Sequence, residues 1–419
     1  MRDMPDETRA DLVAARQRRA MRATTRAVAG WIALRWHRLS AGELGRLPVT
    51  LVLAAVWIIF QCINPTFLSP RNLSNLSVDI VGTGLIAVGI VFVLLLGQLD
   101  LSVGSISGLA AAVFAVLSVN NGVPEWLALI VAVLTGTVAG TVQGYSVART
   151  RVPAFVVTLA GLLTWNGFML AILGTSGTIN LDENGLIAHL TSYYFTDDGV
   201  AYAVAALTTA LVFLTSYLSW HRRRAVGMPH RPLHTIGVRT GVVAVIAFVS
   251  AYLLNQFQGL PLALLIFLAM VAGLDIMLRR TPYGRQVYAL GSSVEAARRA
   301  SVSVTGVQTA VLAVSGTLAA TGGLFLASRI TSVSQNSGSG VLLLNAIAAA
   351  VIGGTSLFGG RGTTWSAVLG ILVIQSIASG MALTDTPTAV QLVITGGVLF
   401  AAVVVDSLSR LTQQAHGRA

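Results

Sequence analysis

Twelve runs of mostly apolar residues follow one another along this chain, near 47–63, 77–97, 101–119, 125–147, 153–173, 200–219, 240–258, 260–278, 307–327, 341–357, 364–382 and 386–405. A helix needs about 20 such residues to cross a bilayer, and hydrocarbon accepts only backbone whose polar groups are satisfied internally. The spacing therefore predicts an all-α fold, a polytopic transmembrane helical bundle of about 12 spans. Composition agrees: 54% of the residues are apolar and 10% charged, where a soluble domain carries about a quarter charged.

Charge placement gives the orientation. All 27 residues of the Lys and Arg class are Arg, for a formal charge of +11. They sit in loops beside the apolar runs, not in a stripe with interleaved aromatics, so topology accounts for them and nucleic acid is not an expected partner. Basic residues are retained in short cytoplasmic loops. With both termini cytoplasmic, every arginine except Arg71 and Arg329 falls on that face. The expected organisation is a basic cytoplasmic tail over 1–46, a permease-like membrane domain over 47–410 with cytoplasmic loops at 220–239 and 279–305, and a short cytoplasmic tail over 411–419. The basic tail either lies on anionic membrane lipid or is solvated. The largest external loop, 174–199, carries Asp182, Glu183, Asp197 and Asp198; it either meets a protein partner or is solvated.

Breaks within the runs point to a route through the membrane. Residues 91–117 and 346–374 share one plan: an apolar run, an interruption of Gly, Ser, Thr and a charge, then a Gly/Ala-rich helix. Paired broken helices mark transport pathways, although glycines also let helices pack closely. Four acids fall in or beside the runs. Asp275 and Asp406 can pair with Arg279 and Arg410 at helical i,i+4 spacing, and Asp79 sits near an external end where it can face water. Asp100, in the break Gly97–Gly104, is expected to cap the next helix, to line the pathway, or both.

Chemistry beyond passage is not signalled. No G-x-x-x-x-G-K-[ST] phosphate loop occurs, so any energy from ATP must come through another subunit. Cys62 is a lone packing residue, and His230 and His234 alone have helical ligand spacing but are flanked by Pro229 and Pro232, so neither a metal nor another bound cofactor is expected. One hydrophilic stretch, 279–305 (RRTPYGRQVYALGSSVEAARRASVSVT), reads as short helix held at the cytoplasmic surface and suited to docking. Pro282 and Gly284 break the preceding span, Gly291 ends the YAL stretch, and Ser292 or Ser293 can cap a helix beginning near Val294.

Together GQLDLSVGS (97–105), TPYGRQVYALGSSVEAARRAS (281–301) and AIAAAVIGGTSLFGGRGT (346–363) resemble the permease subunit of ABC-type monosaccharide importers, and the extra basic loop and span at 220–258 resemble the xylose-type branch. The resemblance runs from about Leu47 to Arg410. It implies a multi-pass bacterial inner-membrane protein that works as a homodimer with cytoplasmic ABC ATPase subunits and an extracytoplasmic sugar-binding protein. The substrate it implies is a monosaccharide, D-xylose or a similar pentose, and ATP is hydrolysed by the partner. Residues 281–301 resemble the coupling helix, so Tyr283, Gly284, Arg285, Gly291, Glu295, Ala296, Ala297 and Arg298 are the coupling candidates. Family pathways hold substrate weakly; Gln98, Asp100, Ser102, Gln143, Asn166, Asn345 and Gln375 are the polar lining candidates, each able instead to bond between helices. Ser292-Ser293 stands where the family commonly has Gly-Asn, and Asn345 where an acid often precedes AIAA, so no charge role is assigned there. Two other classes remain. A proton-coupled secondary sugar carrier would use Asp100 as its relay, and an intramembrane enzyme would need convergent carboxylates that the adjacent acidic pairs do not supply.

Overall fold

A computed structural model describes residues 47–150, 152–174, 177–228, 232–338 and 340–415; beyond Val404 only the backbone of the last helix is described. Val49–Ala402 forms one compact unit. Met1–Pro48 and Val403–Ala419 form another, whose described residues are helical.

Each apolar run folds as a helix. In chain order they are α1 (Leu47–Ile63), α2 (Pro70–Leu95), α3 (Val103–Ala115, continued by a π-helical turn Val116–Asn120), α4 (Glu125–Thr150), α5 (Ala154–Leu173), α7 (Asp198–Ala225), α8 (Leu233–Asn255), α9 (Leu262–Arg280), α12 (Val304–Ile330), α13 (Gly340–Ile352), α14 (Thr364–Leu383) and α15 (Thr388–Ala415). Three short helices lie between them: α6 (Leu186–Ser192), α10 (Pro282–Ser292) and α11 (Val294–Arg299). Among the described residues nine helices are long and apolar enough to cross a membrane; the apolar stretches of α1, α13 and α15 are shorter. The run expected to span 341–357 leaves the helix at Ile352, because Gly353 packs on the Ser366 carbonyl and Gly354 turns left-handed (φ +97°).

Burial orders the bundle. α2 is almost wholly enclosed and packs on α9, α12 and α14 through notches at Gly82, Gly84 and Gly89. α4 lies against α12 along Gly136, Gly140 and Gly144, where an added Cβ would meet the backbone of Gly316, Leu312 and Thr309. This small-residue seam lets the two backbones touch, and Thr137 and Thr317 share a hydrogen bond across it (2.8 Å). α7 and α8 pair at the periphery, joined by Ala201, Ala205, Ala251 and Leu254, and leave most of their apolar side chains exposed.

The acidic segment 174–199 is folded onto the bundle. Strand β1 (Thr178–Asn180) pairs antiparallel with β4 (Ser332–Ser334), and β2 (Tyr194–Phe195) with β3 (Leu260–Pro261). Glu125 accepts from the Ile187 amide at the start of α6 (3.1 Å), and Thr191 bonds Ser328 (2.7 Å). Asp79 and Arg329 correct an expectation. Asp79 does not simply face water but binds Arg329 (2.8 Å), with Asn75 beside it, so one of the two arginines left on the outer face is neutralised by it. Asp275 pairs with Arg279 as the spacing predicts (2.8 Å). The Asp406–Arg410 pair, His230 and the basic tail lie outside the described side chains.

Candidate functional site

The two broken helices end in the same way. At the end of α2, Gly97 N–H donates to Leu94 O (2.8 Å) and Gln98 N–H to Val93 O (3.3 Å), with Gly97 left-handed (φ +70°). At the end of α13, Gly354 N–H donates to Val351 O (2.9 Å) and Thr355 N–H to Ala350 O (3.1 Å). Both are Schellman caps, which need a residue without a Cβ at the left-handed position. The sequence echo is therefore a repeated way of stopping a helix.

The hydrophilic stretch is fastened to the end of α2 and to the loop that follows α13. Thr281 caps α10 by accepting from Gly284 N (3.2 Å), with Pro282 in the first turn. Ser293 caps α11 by accepting from Ala296 N (3.2 Å). Gly291 presses on Leu95 O at the end of α2, leaving no room for a Cβ. Gly360 N–H donates to that same oxygen (2.9 Å). Gly359, left-handed, packs against both Gly291 and Gly97, and Tyr288 donates its hydroxyl to Gly362 O (2.8 Å). Three segments far apart in sequence thus meet backbone to backbone.

This packing sorts the coupling candidates. Gly284 and Ala297 are buried and Tyr283 and Gly291 partly so, facing the bundle. Arg285, Glu295, Ala296 and Arg298 face outward; Glu295 and Arg298 are 74% and 53% exposed and 3.7 Å apart, a pairing of little energetic consequence in water. Burial pushes the Tyr283 hydroxyl up to about 12. Burial also raises Tyr288, with Arg279 opposing and Asp275 adding to the rise. An unfolded tyrosine ionises near 10, so the unfolded chain gives up this proton first. The stability linked to Tyr283 is whole below about pH 10 and is lost as pH climbs toward 12. Tyr288→Phe, which strips Gly362 O of its donor, is expected to cost about 1 kcal/mol. Tyr283→Phe removes a buried hydroxyl that has no partner among the described residues, so it is expected to be neutral or stabilising and to lessen the alkaline loss. Unfolding midpoints at neutral and alkaline pH in detergent check both.

Past the junction, residues 96–102 run unwound into the bundle. Thr158 of α5 holds them, donating to Leu99 O and accepting from Leu101 N (3.2 Å each). Asp100 is 2% exposed. Its Oδ1 accepts from the Ser102 amide (3.0 Å) and lies 2.6 Å from Ser102 Oγ; its Oδ2 accepts from Ser315 of α12 (3.1 Å). Ser102 Oγ also lies 2.9 Å from Gln143 Oε1 of α4. Ser102, not Asp100, occupies the N-cap position of α3, and its side chain makes no capping hydrogen bond. Asp100 instead ties its own segment to α12.

A cavity of about 140 Å³ adjoins this segment, lined by Leu101, Gly104, Ser105, Leu162, Asn166, Gly338, Gly340 and Leu343. Of the seven lining candidates only Asn166 borders it. Asp100, Ser102 and Gln143 form the buried cluster, Gln98 adjoins it in sequence, and Asn345 and Gln375 sit half-buried on α13 and α14. Gln98 Oε1, Gln143 Nε2 and Asn345 Oδ1 are enclosed with no partner among the described residues. Sequence reasoning missed Thr158, Ser315 and the 335–338 stretch, which enters the bundle so that Gly338 packs on the Gly104 carbonyl. The available signal was composition: Gln335–Gly340 is polar yet uncharged, and such backbone can sit at depth where protein surrounds it.

Comparison with known proteins gives this geometry its class. A family model described as the branched-chain amino acid transport system permease component matches residues 72–403; the protein is a membrane permease. The xylose transport system permease protein XylH of Escherichia coli K12 is 36% identical over 82% of this chain and 86% of its own length. XylH of Haemophilus influenzae is 33% identical over 87% and 97%. The ribose import permease protein RbsC of Bacillus subtilis is 30% identical over 87% and 94%. The chain belongs to the permease family of ABC-type monosaccharide importers, the group that includes these xylose and ribose permeases. No solved structure matches it.

Proposed function

We propose that this permease carries D-xylose or a similar pentose inward across the bacterial inner membrane, as a homodimer driven by a separate cytoplasmic ABC ATPase and supplied by an extracytoplasmic sugar-binding protein. In this reading residues 47–410 are the permease domain, both termini are cytoplasmic, and the ATPase docks on α10–α11. The observation that carries it is the junction: the hydrophilic helix α10 is seated by backbone contact on the end of α2 and on the loop that joins α13 to α14. A push on α10 has a rigid path to Leu95, Gly97 and Gly359. Two features support the rest. Asn166 is exposed on α5, within a membrane span, where lipid is a poor neighbour and a second copy or a watered route a good one. Asn166 also borders the cavity, where it offers hydrogen bonds to a polyol without a tight site. The rival proton carrier finds no support at Asp100, which is closed from water and bonded to neutral groups.

Docking is tested through outward side chains only. Gly284 does not serve, because any Cβ there strikes the backbone of Leu278 and disturbs the α9–α10 corner itself. Glu295→Arg combined with Arg298→Glu is expected to leave membrane insertion intact and lower ATP-driven sugar uptake about tenfold, a change of about 1.4 kcal/mol. Uptake by the assembled importer, with ATP hydrolysis measured in parallel, reads the result; normal coupled transport by this double variant removes the docking assignment. D-xylose is expected to outcompete the hexose D-galactose in the same assay, and the reverse order removes the pentose assignment.

A further inference from the structure

The Asp100 cluster contains more oxygen contacts than its hydroxyls can serve. Ser102 Oγ sits between Asp100 Oδ1 (2.6 Å) and Gln143 Oε1 (2.9 Å). A hydroxyl has one proton to give, so with Asp100 ionised one of these two contacts would join bare oxygens. An extra proton on Asp100 resolves the count. Asp100 then donates to Ser102 Oγ, Ser102 donates to Gln143 Oε1, and Ser315 still donates to Asp100 Oδ2.

The surroundings favour the same state. The groups that face this segment, Gln143 from α4, Thr158 from α5 and Ser315 from α12, neither titrate nor carry charge. The carboxyl is sealed from water, and an unpaired carboxylate inside a membrane is poorly tolerated. A rival arrangement turns the Gln143 amide over. Its nitrogen then donates to Ser102, Asp100 is ionised, and Gln143 oxygen is free for Trp165 Nε1, which, like Gln143 Nε2, has no partner among the described residues and borders Gly161 with it. That arrangement places a charge in the bundle with no counter-charge.

We propose that Asp100 is held un-ionised and acts as a hydrogen-bond donor to Ser102, a neutral latch that positions residues 96–102 between α4 and α12. The latch lies between Gly97 in the junction and Leu101, Gly104 and Ser105 in the cavity wall, so it sets the only covalent route from one to the other along this segment. Asparagine is then a partial substitute: its amide nitrogen donates to Ser102 Oγ and its oxygen accepts from Ser315, but the Ser102 amide loses its acceptor.

Infrared difference spectra of the full-length chain in lipid nanodiscs, native against Asp100→Asn, test this at neutral pH. A carbonyl-stretch band of an un-ionised carboxylic acid is expected in the native protein and absent in the variant. Unfolding midpoints give a second reading: Asp100→Leu, of similar size but without hydrogen bonds, is expected to fall by several degrees and Asp100→Asn, which keeps two of the hydrogen bonds, to lie clearly above it. Trp165→Phe is expected to leave the native band unchanged. No acid band, or an Asp100→Asn midpoint as low as that of Asp100→Leu, overturns the proposal in favour of the turned amide.

Discussion

Gly291→Val is expected to cut sugar uptake by the assembled importer at least about tenfold while leaving the membrane body folded. A Cβ at this position has nowhere to go. It meets Leu95 O, the oxygen that already accepts from Gly360 N, and lies 2.9 Å from that nitrogen. Both obstacles are backbone, so no rotamer change relieves them, and α10 must lift away from the end of α2. Overpacking of this kind costs about 1–3 kcal/mol, and about 1.4 kcal/mol is a factor of ten. The change touches α2 only at its last residue, Leu95, and leaves its packing on α12 and that of α4 on α12 alone, so the unfolding midpoint should move little compared with uptake. Gly273→Val on α9, where nothing lies within 4 Å, is the control and should behave nearly as native. Native transport by Gly291→Val would mean that force does not cross the junction.

Gly140→Val is expected to fail differently, by loss of the fold. Gly140 lies in the seam where α4 meets α12, and its Cβ would run into Leu312 O with Ala313 Cα 3.2 Å away. The neighbours Gly136 and Gly144 are filled in the same manner, so a local shift cannot make room without opening the seam along two turns. The expected cost is at the upper end of about 1–3 kcal/mol or beyond, with a fall of several degrees in the unfolding midpoint and reduced yield in the membrane. Gly241→Val on α8, where nothing lies within 4 Å, should leave the midpoint unchanged. Equal stability of Gly140→Val and native protein would show that α4 and α12 do not pack through this face.

Part of the site is legible in the order of the residues. Gly97 and Gly354 stand out as helix breakers within apolar runs, and Thr281, Pro282 and Ser293 as helix starters, because caps depend on a few consecutive residues. Asp275–Arg279 is readable for the same reason. Asp79–Arg329 is not, since 250 residues separate the partners and neither carries a sign of the other. Asp100 is conspicuous as an acid in a membrane run, but its partners cannot be named from the chain: Ser315 is one serine among many small residues in α12, and nothing local distinguishes it.

The amino-acid sequence alone determined that this chain is a helical membrane protein and which apolar runs become helices, because hydrophobic length, arginine placement and capping are local properties. Only the tertiary structure decided that Gly97, Gly291 and Gly359 share one point, that Gly284 faces inward while Glu295 faces out, and that Asp100 is closed off behind the cavity wall. These depend on which backbones approach each other across long stretches of chain, and a glycine that permits a close approach does not say what approaches it.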